Sequence, residues 1–334
     1  GDAFPKRQFV VPFPCVCDQH GKRGQQCRDF DPTVAQWMED QCMYIGDRDE
    51  EREIAMNDHR AYCMLRQVND MERVFGQKCD DEKIYKIVMA QKKVEEYGRE
   101  VSALMANTIP SPLAAKELYS LYTLGTLTKV NPDKAVELWK EIRDEIKYRA
   151  DNQIAAVGTE RYRWIEAHPP AWHFLKYYRY MEKYGAVCLG SQYSHICDGE
   201  YIEKKPDGTL GKRDVDEFPV DMPLKTREDQ VRFLNGKDAR LPHWFKHDEY
   251  MHPDALTEFA QMMQADGAIL GLWRSGIGCT MTRKEQGAKL RKAGINVMYY
   301  EGSQPGDRTD MDEKRFMDHL DAWMESQGLE KLED

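Results

Sequence analysis

The sequence lacks long apolar runs and an excess of positive charge. No apolar run reaches the length of about 18 residues that a membrane-spanning helix needs. The first residues, GDAFPKR, contain no apolar stretch followed by a small-residue cleavage site, so we expect no signal peptide. Lys and Arg number 48 against 58 Asp and Glu, which argues against a nucleic-acid backbone or an anionic membrane surface as the main partner. We therefore expect a cytoplasmic protein that binds neither nucleic acid nor a membrane.

Cysteine does not follow the pattern of a secreted protein. The chain has nine cysteines, an odd number at irregular spacings, which does not suit an extracellular disulfide framework. The compact C-x2-C runs of ferredoxins are also missing, so an iron–sulfur cluster would draw its ligands from distant parts of the chain. Thiols at strand ends are candidates for metal ligands or reactive groups, although many cysteines are only small buried hydrophobes.

The composition is typical of a globular protein, and a length of 334 residues suggests about two domains. Hydrophobic residues make up 41% and charged residues 32% of the chain. In the first half, residue spacing predicts one buried strand and then four helices, over residues 8–14, 49–76, 81–106, 113–125 and 132–155. This order predicts a helical connection over residues 109–157, which follows a first domain over residues 1–108.

The second half alternates between strand and helix patterns. Strands are predicted over residues 161–167, 186–191, 268–273 and 295–300, and helices over residues 172–184, 253–264, 280–293 and 311–327. The aromatic residues at helical spacing are assigned to packing: Trp172, Phe174, Tyr177 and Tyr178. A polar stretch over residues 198–248 is interpreted as loop and surface. Strict alternation predicts a parallel sheet covered on both faces, in a second domain over residues 158–334.

Three segments follow predicted strands directly, where ligands bind in open parallel sheets. They are residues 15–22 (CVCDQHGK), 193–195 (YSH) and 274–280 (RSGIGCT). A thiolate at a helix N-terminus is favoured by the exposed N–H groups and the helix dipole, which makes Cys17 and Cys279 candidate metal ligands. Cys15 alternates with Cys17 along the chain and is a second candidate in the first segment.

The third segment also contains two glycines, Gly276 and Gly278. They allow backbone amides to point into a site, toward cluster sulfurs or a ligand phosphate. Arg283 and Lys284 are further cofactor-binding candidates in the helix that follows. The spacing lacks the third glycine and the later acidic residue of the dinucleotide fingerprint, so we exclude a nicotinamide site. The alternative is that the thiols are structural and the glycines form an ordinary turn.

Histidines supply the candidate proton donors. His195 lies at a predicted strand end beside Tyr193, and His168 precedes two prolines; we select both as catalytic candidates. His243, His247 and His252 form another group of potential ligands. Their spacing differs from H-E-x-x-H, which favours a loop or subunit interface over a zinc or iron site.

Taken in order, several segments resemble the 2-hydroxyacyl-CoA dehydratase and benzoyl-CoA reductase family, in its larger B-type subunit. They are VCDQHGK (16–22), IPSPL (109–113), ERYRWIEAHPPAWHFLKYY (160–178), GSQYSHI (190–196), RSGIGCTMTRKEQ (274–286) and GINVMYYEGSQPGDR (294–308). The resemblance runs over nearly the whole chain, and the ordered set is more specific than any single segment.

This resemblance implies two flavodoxin-like doubly wound domains joined by a helical region, and a [4Fe-4S] cluster bound by three cysteines. Cys17 matches the second ligand and Cys279 the third, and we expect the first in a segment upstream of Gly1 that belongs to an incomplete first domain. The resemblance also implies a CoA-thioester substrate, a related C-type subunit forming a heterodimer, and an ATP-hydrolysing ferredoxin-like activator. Cys279 stands a few positions later than in the family's Arg-Ser-Cys pattern, and EGSQPGDR replaces the usual acidic series.

The resemblance leaves two chemistries open. An ATP-dependent benzoyl-CoA reductase adds two electrons and two protons to an aromatic ring, whereas an (R)-2-hydroxyacyl-CoA dehydratase forms a ketyl radical, loses hydroxide and returns the electron. The aromatic segment over residues 161–180 and EGSQPGDR look closer to benzoyl-CoA reductases, which favours an aromatic acyl-CoA as substrate. A third hypothesis is a noncatalytic scaffold subunit whose cysteines only pack.

Overall fold

The computed structural model describes residues 9–11, 18–37, 50–167, 170–171, 174–191, 202–204, 206–207, 210–212, 226–234, 255–273, 282–302 and 312–333. Within these ranges the chain divides into two compact units. The first holds the described residues up to Val88 together with residues 226–234, and the second holds the others. None of the helices in the described ranges is long and apolar enough to cross a membrane. The predicted domain boundaries stay a prediction.

The described helices are α1 (Asp18–Phe30), α2 (Glu50–Phe75), α3 (Asp81–Asn107), α4 (Ala115–Leu121), α5 (Pro132–Asp151), α6 (Tyr177–Glu182), α7 (Arg227–Leu234), α8 (Ala255–Met262), α9 (Arg283–Lys292) and α10 (Glu313–Ser326). A 3-10 segment, Tyr122–Lys129, follows α4. The described strands are β1 (Phe9–Val10), β2 (Ala35–Gln36), β3 (Tyr162–Glu166), β4 (Ala186–Ser191), β5 (Ile202–Lys204), β6 (Leu210–Lys212), β7 (Gly267–Trp273) and β8 (Asn296–Gly302).

The first unit pairs β1 with β2 in parallel and contains α1, α2 and α7. Helix α2 ends before Gly76, whose φ of +65° is the left-handed conformation that glycine adopts at low cost. Helix α7 packs on α2, and Arg227 at its start forms ion pairs with Glu72 at 3.0 Å and Asp81 at 2.7 Å. A network of charges therefore fixes this short helix.

The second unit is built on a parallel sheet with the strand order β4-β3-β7-β8. Parallel strands need crossover connections, and the intervening helices supply them. Apolar side chains along the strands alternate between the two faces of the sheet. One face carries Ile165, Val187, Leu189, Ala268 and Leu270, which pack with residues of α3, α8 and α9. The opposite face carries Trp164, Ala186, Cys188, Ile269 and Met298, which pack with residues of α4, α6 and α10. Helices thus cover both faces, which confirms the predicted doubly wound α/β architecture.

A buried arginine, Arg163, links the start of β3 to neighbouring segments by hydrogen bonds. The Arg163 guanidinium donates to the carbonyl oxygens of Met263 at 3.2 Å, Thr108 at 3.2 Å and Met105 at 2.9 Å. It also pairs with the Glu160 carboxylate at 2.6 Å, and both side chains are buried. A buried charge of this kind is tolerated only when it is paired and hydrogen-bonded, as here.

Three predicted segments differ from the structure. The helix predicted over residues 113–125 is shorter, because the chain tightens into the 3-10 segment after Leu121. The helix predicted over residues 172–184 is limited to α6, since residues 174–176 are not helical. The stretch predicted as loop, residues 198–248, contains the antiparallel pair β5–β6 and helix α7.

Helix α7 begins with a capping box that the sequence prediction missed. The Asp229 backbone N–H donates to the Thr226 Oγ1 at 3.0 Å, and the Thr226 backbone N–H donates to the Asp229 carboxylate at 3.2 Å. This reciprocal pair satisfies two amides that a helix start leaves open. The motif T-x-x-D at residues 226–229 was the signal available in the sequence.

Candidate functional site

The carboxyl ends of the four parallel strands mark the edge of the sheet where ligands bind in doubly wound folds. Strands β3 and β4 end there at Glu166 and Ser191, and β7 and β8 end at Trp273 and Gly302. Two predicted site segments follow these strand ends directly in the chain, residues 193–195 after β4 and residues 274–280 after β7. The candidate site is therefore the carboxyl edge of this sheet.

A bulge between β3 and β4 shapes this edge. Trp164 pairs with Cys188, but Glu166 pairs with Ser191, so β4 contributes one more residue than β3 over this interval. Gly190 lies within the extra length at a φ of +104°, a conformation that disfavours any residue with a Cβ. The bulge brings the end of β4 opposite Glu166. Such irregularities often aim side chains next to functional sites.

The Glu166 carboxyl group accepts hydrogen bonds from Tyr119, Tyr177 and Tyr178, and we call these four residues the Glu166 cage. Along β3, Tyr162 and Trp164 face the core shared with α6 and α10, and Glu166 continues on the same side because strand residues alternate. Its Oε2 accepts hydrogen bonds from the Tyr178 hydroxyl at 2.5 Å and the Tyr119 hydroxyl at 3.0 Å. Its Oε1 accepts a hydrogen bond from Tyr177. A carboxyl group thus occupies a position at which the alternation of the strand predicts an apolar side chain.

The cage also connects the ends of β3 and β4. The Tyr119 hydroxyl, supplied by α4, lies 2.8 Å from the Ser191 Oγ as well as near Glu166. Glu166 is only 3% exposed and Ser191 is fully buried. A continuous line of oxygen atoms therefore runs from Glu166 through Tyr119 to Ser191.

Burial controls the ionisation of the Glu166 carboxyl group. It raises the pKa of Glu166 to about 7, against the opposing effect of the three tyrosine hydrogen bonds. Burial, and then the charge of Glu166, raise the pKa of Tyr119, Tyr177 and Tyr178 well above the usual value. The tyrosines therefore stay protonated as donors, while Glu166 exchanges its proton near neutral pH.

Most of the predicted site residues lie outside the described residues. These are Cys17, Cys279, His168, His195, Gly276 and Gly278, together with the alternatives Cys15, His243, His247 and His252. Their roles stay predictions. The packing predicted for Phe174, Tyr177 and Tyr178 is confirmed, because all three are buried in the aromatic core; Trp172 lies outside the described residues.

Arg283 and Lys284 are the two predicted site residues that the structure describes. They open α9, after a left-handed Thr282 with a φ of +62°. The Arg283 side chain is buried and its Nη1 donates to the Gln286 Oε1 at 2.5 Å, whereas Lys284 is exposed. The two neighbours thus face opposite environments, and their part in cofactor binding stays a prediction.

The described part of the chain contains no group of three His, Cys, Asp or Glu side chains that could hold a metal ion. Its cysteines, Cys27, Cys63, Cys79 and Cys188, form no disulfide. Burial raises the pKa of the Cys188 thiol, and the nearby charge of Glu166 raises it further. Cys188 is therefore a packing thiol. The proposed cluster ligands, Cys17 and Cys279, lie outside the described ranges.

Comparison with known families places this geometry in context. The family described as 2-hydroxyglutaryl-CoA dehydratase, D-component, matches residues 61–326, well over half of the chain. The chain belongs to this family. Membership implies a subunit of a radical-type dehydratase or reductase system that acts on acyl-CoA, together with a partner subunit and an activator. A search of curated proteins found no match.

The D-component family match supports the family resemblance read from the sequence, at the level of the dehydratase and reductase family. The Glu166 cage was not predicted from the sequence. The available signal was an acidic residue in the strand pattern YRWIE, at a position that alternation assigns to the core. The three tyrosines could not be assigned to it from the sequence, because they come from two different helices.

Proposed function

We propose that this chain is the catalytic subunit, carrying a [4Fe-4S] cluster, of an ATP-dependent aromatic acyl-CoA reductase with benzoyl-CoA as substrate. The observation that carries the proposal is a buried, protonatable carboxyl at the carboxyl edge of the sheet. Dearomatising a ring requires protons as well as electrons, in a site that excludes water so that electrons are not lost to solvent.

The cysteines proposed to hold the cluster are Cys17 and Cys279, and the cluster requires one further thiolate ligand. When bound, such a cluster supplies electrons at low potential, and three protein thiolates leave one iron open toward the substrate. Gly276 and Gly278 would direct backbone amides toward cluster sulfurs or a CoA phosphate. Arg283 and Lys284 are proposed to support the same contact.

His195 and His168 are the proposed proton donors. In the chain His195 follows β4 and His168 follows β3, so both belong to connections that leave the carboxyl edge. Histidine suits this task because its charge changes near neutral pH. Substituting each histidine is expected to lower turnover and alter its pH dependence.

The alternative is an (R)-2-hydroxyacyl-CoA dehydratase, which the description of the matching family favours. In that reaction the same carboxyl edge would supply one proton to the departing hydroxyl group, and the electron would be recovered. The two functions share a partner subunit of the C type, an ATP-hydrolysing activator and a cytoplasmic location, but differ in their use of ATP.

The deciding experiment is anaerobic purification of the native complex, followed by iron analysis and assay with benzoyl-CoA and with a 2-hydroxyacyl-CoA. A reductase consumes ATP in proportion to product, whereas a dehydratase needs ATP only to start. We expect iron in the complex and a constant ratio of ATP to reduced benzoyl-CoA. Dehydration with catalytic ATP would replace the proposal by the alternative, and an iron-free complex would indicate a scaffold subunit.

A further inference from the structure

Among the described residues, the groups that influence the ionisation of Glu166 are tyrosine hydroxyls and one thiol. The titratable side chains that face Glu166 in the described residues are Tyr119 from α4, Tyr177 and Tyr178 from α6, and Cys188 from β4. Tyr300 from β8 also influences Tyr177. Neither a lysine nor an arginine contributes to the ionisation of Glu166 within this part of the chain. Within the described ranges, its charged form is therefore stabilised by the hydroxyls of these three tyrosines.

The described contacts of Glu166 differ from those of a structural ion pair. A buried carboxylate without a cation costs more free energy than an apolar residue of similar size, so packing alone would favour replacement. Arg163 differs from Glu166, since its charge is paired with Glu160 and donates to three backbone carbonyl oxygens. Glu166 instead gains stability by keeping its proton.

The geometry gives that proton a path. Tyr119 Oη lies 3.0 Å from Glu166 Oε2 and 2.8 Å from Ser191 Oγ, both within hydrogen-bond reach. A phenol hydroxyl in this position accepts a proton on one side and donates its own on the other. Ser191 is the last residue of β4, so the line ends at the carboxyl edge of the sheet.

We propose that Glu166 is a proton reservoir whose proton reaches the carboxyl edge of the sheet through Tyr119 and Ser191. This inference rests on the proposed function, because a reductase adds two protons to each ring. The line supplies one of them, in addition to the proposed histidine donors. Glu166 does not touch the substrate in this scheme, and it acts through the two hydroxyls that follow it.

The transfer conserves protons along the line. The Glu166 O–H bond breaks as a new O–H bond forms on Tyr119, and the original Tyr119 proton moves to Ser191. The original Ser191 proton then passes to the acyl group that the ATP-driven donor has reduced, forming a C–H bond in a reductase or water from hydroxide in a dehydratase. Glu166 is left as a carboxylate that Tyr177 and Tyr178 hold by hydrogen bonds. A proton from the bulk solvent reloads the carboxylate between turnovers.

The test uses three variants in the full complex: Glu166→Gln, which has no acidic proton, Tyr119→Phe, which breaks the line, and Tyr180→Phe as a matched control. Tyr180 lies on the same helix as Tyr177 and Tyr178, but its hydroxyl donates to the Asp321 carboxylate at 2.7 Å. We expect the first two variants to lower kcat by about 100-fold or more with little change in KM. The control should retain wild-type kcat.

The pH profile separates a proton reservoir from a structural role. With protonated Glu166 as the active form, wild-type kcat should fall as the pH rises through about 7. In Tyr177→Phe this limb should move to higher pH, because the lost hydrogen bond normally lowers the pKa of Glu166. Wild-type kcat and an unchanged alkaline limb in both Glu166→Gln and Tyr119→Phe would overturn the proposal.

Infrared titration of the same complexes gives a readout that is independent of turnover. The protonated-carboxyl C=O band of wild type should disappear as the pH rises through about 7, and Glu166→Gln should lack it. Absence of this band in wild type below that pH would overturn the reservoir. If neither acyl-CoA is turned over, the proposed function fails, and the presence or absence of the band decides the reservoir separately.

Discussion

Glu166 couples the stability of the second unit to pH. Burial raises its pKa from 4.5 to about 7, so the folded chain keeps a proton that the unfolded chain has already released in this interval. The free energy of unfolding therefore falls as the pH rises from about 4.5 to about 7, and is constant above that range. At about 1.4 kcal/mol per pKa unit, the loss amounts to about 3 kcal/mol.

The Glu166→Gln variant should lack this pH dependence. We expect wild type to lose about 3 kcal/mol of unfolding free energy relative to the variant between pH 4.5 and pH 7, since glutamine has no proton to release. Urea unfolding at a series of pH values measures the difference. Glu182→Gln is the control, because this carboxylate is 25% exposed and pairs with Lys116 at 2.8 Å. Parallel curves for wild type and Glu166→Gln would show that Glu166 keeps an ordinary pKa.

Two buried ionisable residues on β3, Arg163 and Glu166, differ in how far their partners could be predicted from the sequence. Arg163 is satisfied by carbonyl oxygens and by Glu160, which is close in sequence. Glu166 depends on Tyr119, which is 47 positions away, and no local rule connects the two. A sequence pattern can mark an acidic residue at an inward-facing position, but only the packing of α4 and α6 on the sheet identifies its partners.

At the scale of elements, the central sheet could be predicted closely. Strand β4 has the predicted limits, and β3, β7 and β8 differ from prediction by one or two residues, because apolar and β-branched runs bounded by turns have a clear pattern. Helix α7 was missed since its residues are mostly polar and its position depends on ion pairs of Arg227 with distant side chains.

Gly267, the first residue of β7, is packed so closely that we expect a larger side chain there to destabilise the fold. A Cβ added at Gly267 would overlap the Tyr162 hydroxyl and lie 2.7 Å from the Trp323 ring. These two rings already meet edge to face with centroids 5.7 Å apart, so neither has room to move. We expect Gly267→Ala to lower the free energy of unfolding by about 1–3 kcal/mol through overpacking. Urea unfolding at constant pH measures this loss.

Gly158→Ala is the matched control for Gly267→Ala. An added Cβ at Gly158 meets nothing within 4 Å, so the same chemical change should leave stability nearly unchanged. Equal unfolding free energies for the two variants would mean that the sheet and α10 separate enough to accept a methyl group. That result would mean that the core around the Tyr162 and Trp323 rings is packed less tightly than the structure shows.

At the scale of the whole molecule, the family could be predicted from the sequence, whereas the geometry of the site could not. Ordered segments spread along the chain carry the family resemblance, and the family match over residues 61–326 supports it. A cluster bound by distant cysteines is different, because its existence depends on how separate connections meet. Residue spacing selects Cys17 and Cys279 by their places before helices, but it does not supply the distance between them.

The proposed cluster makes a prediction for the anaerobically purified complex. Cys17→Ser and Cys279→Ser should each lose most of the iron and the associated visible absorbance, because serine is a poor substitute for a thiolate ligand. Cys188→Ala is the control. Burial raises the pKa of the Cys188 thiol, which lies 3.9 Å from the Gly190 carbonyl oxygen, so it stays protonated and its loss should leave the iron content unchanged. Iron retained in both serine variants would remove these two cysteines from the ligand set, and iron lost only in Cys188→Ala would reverse the assignment of packing and ligating thiols.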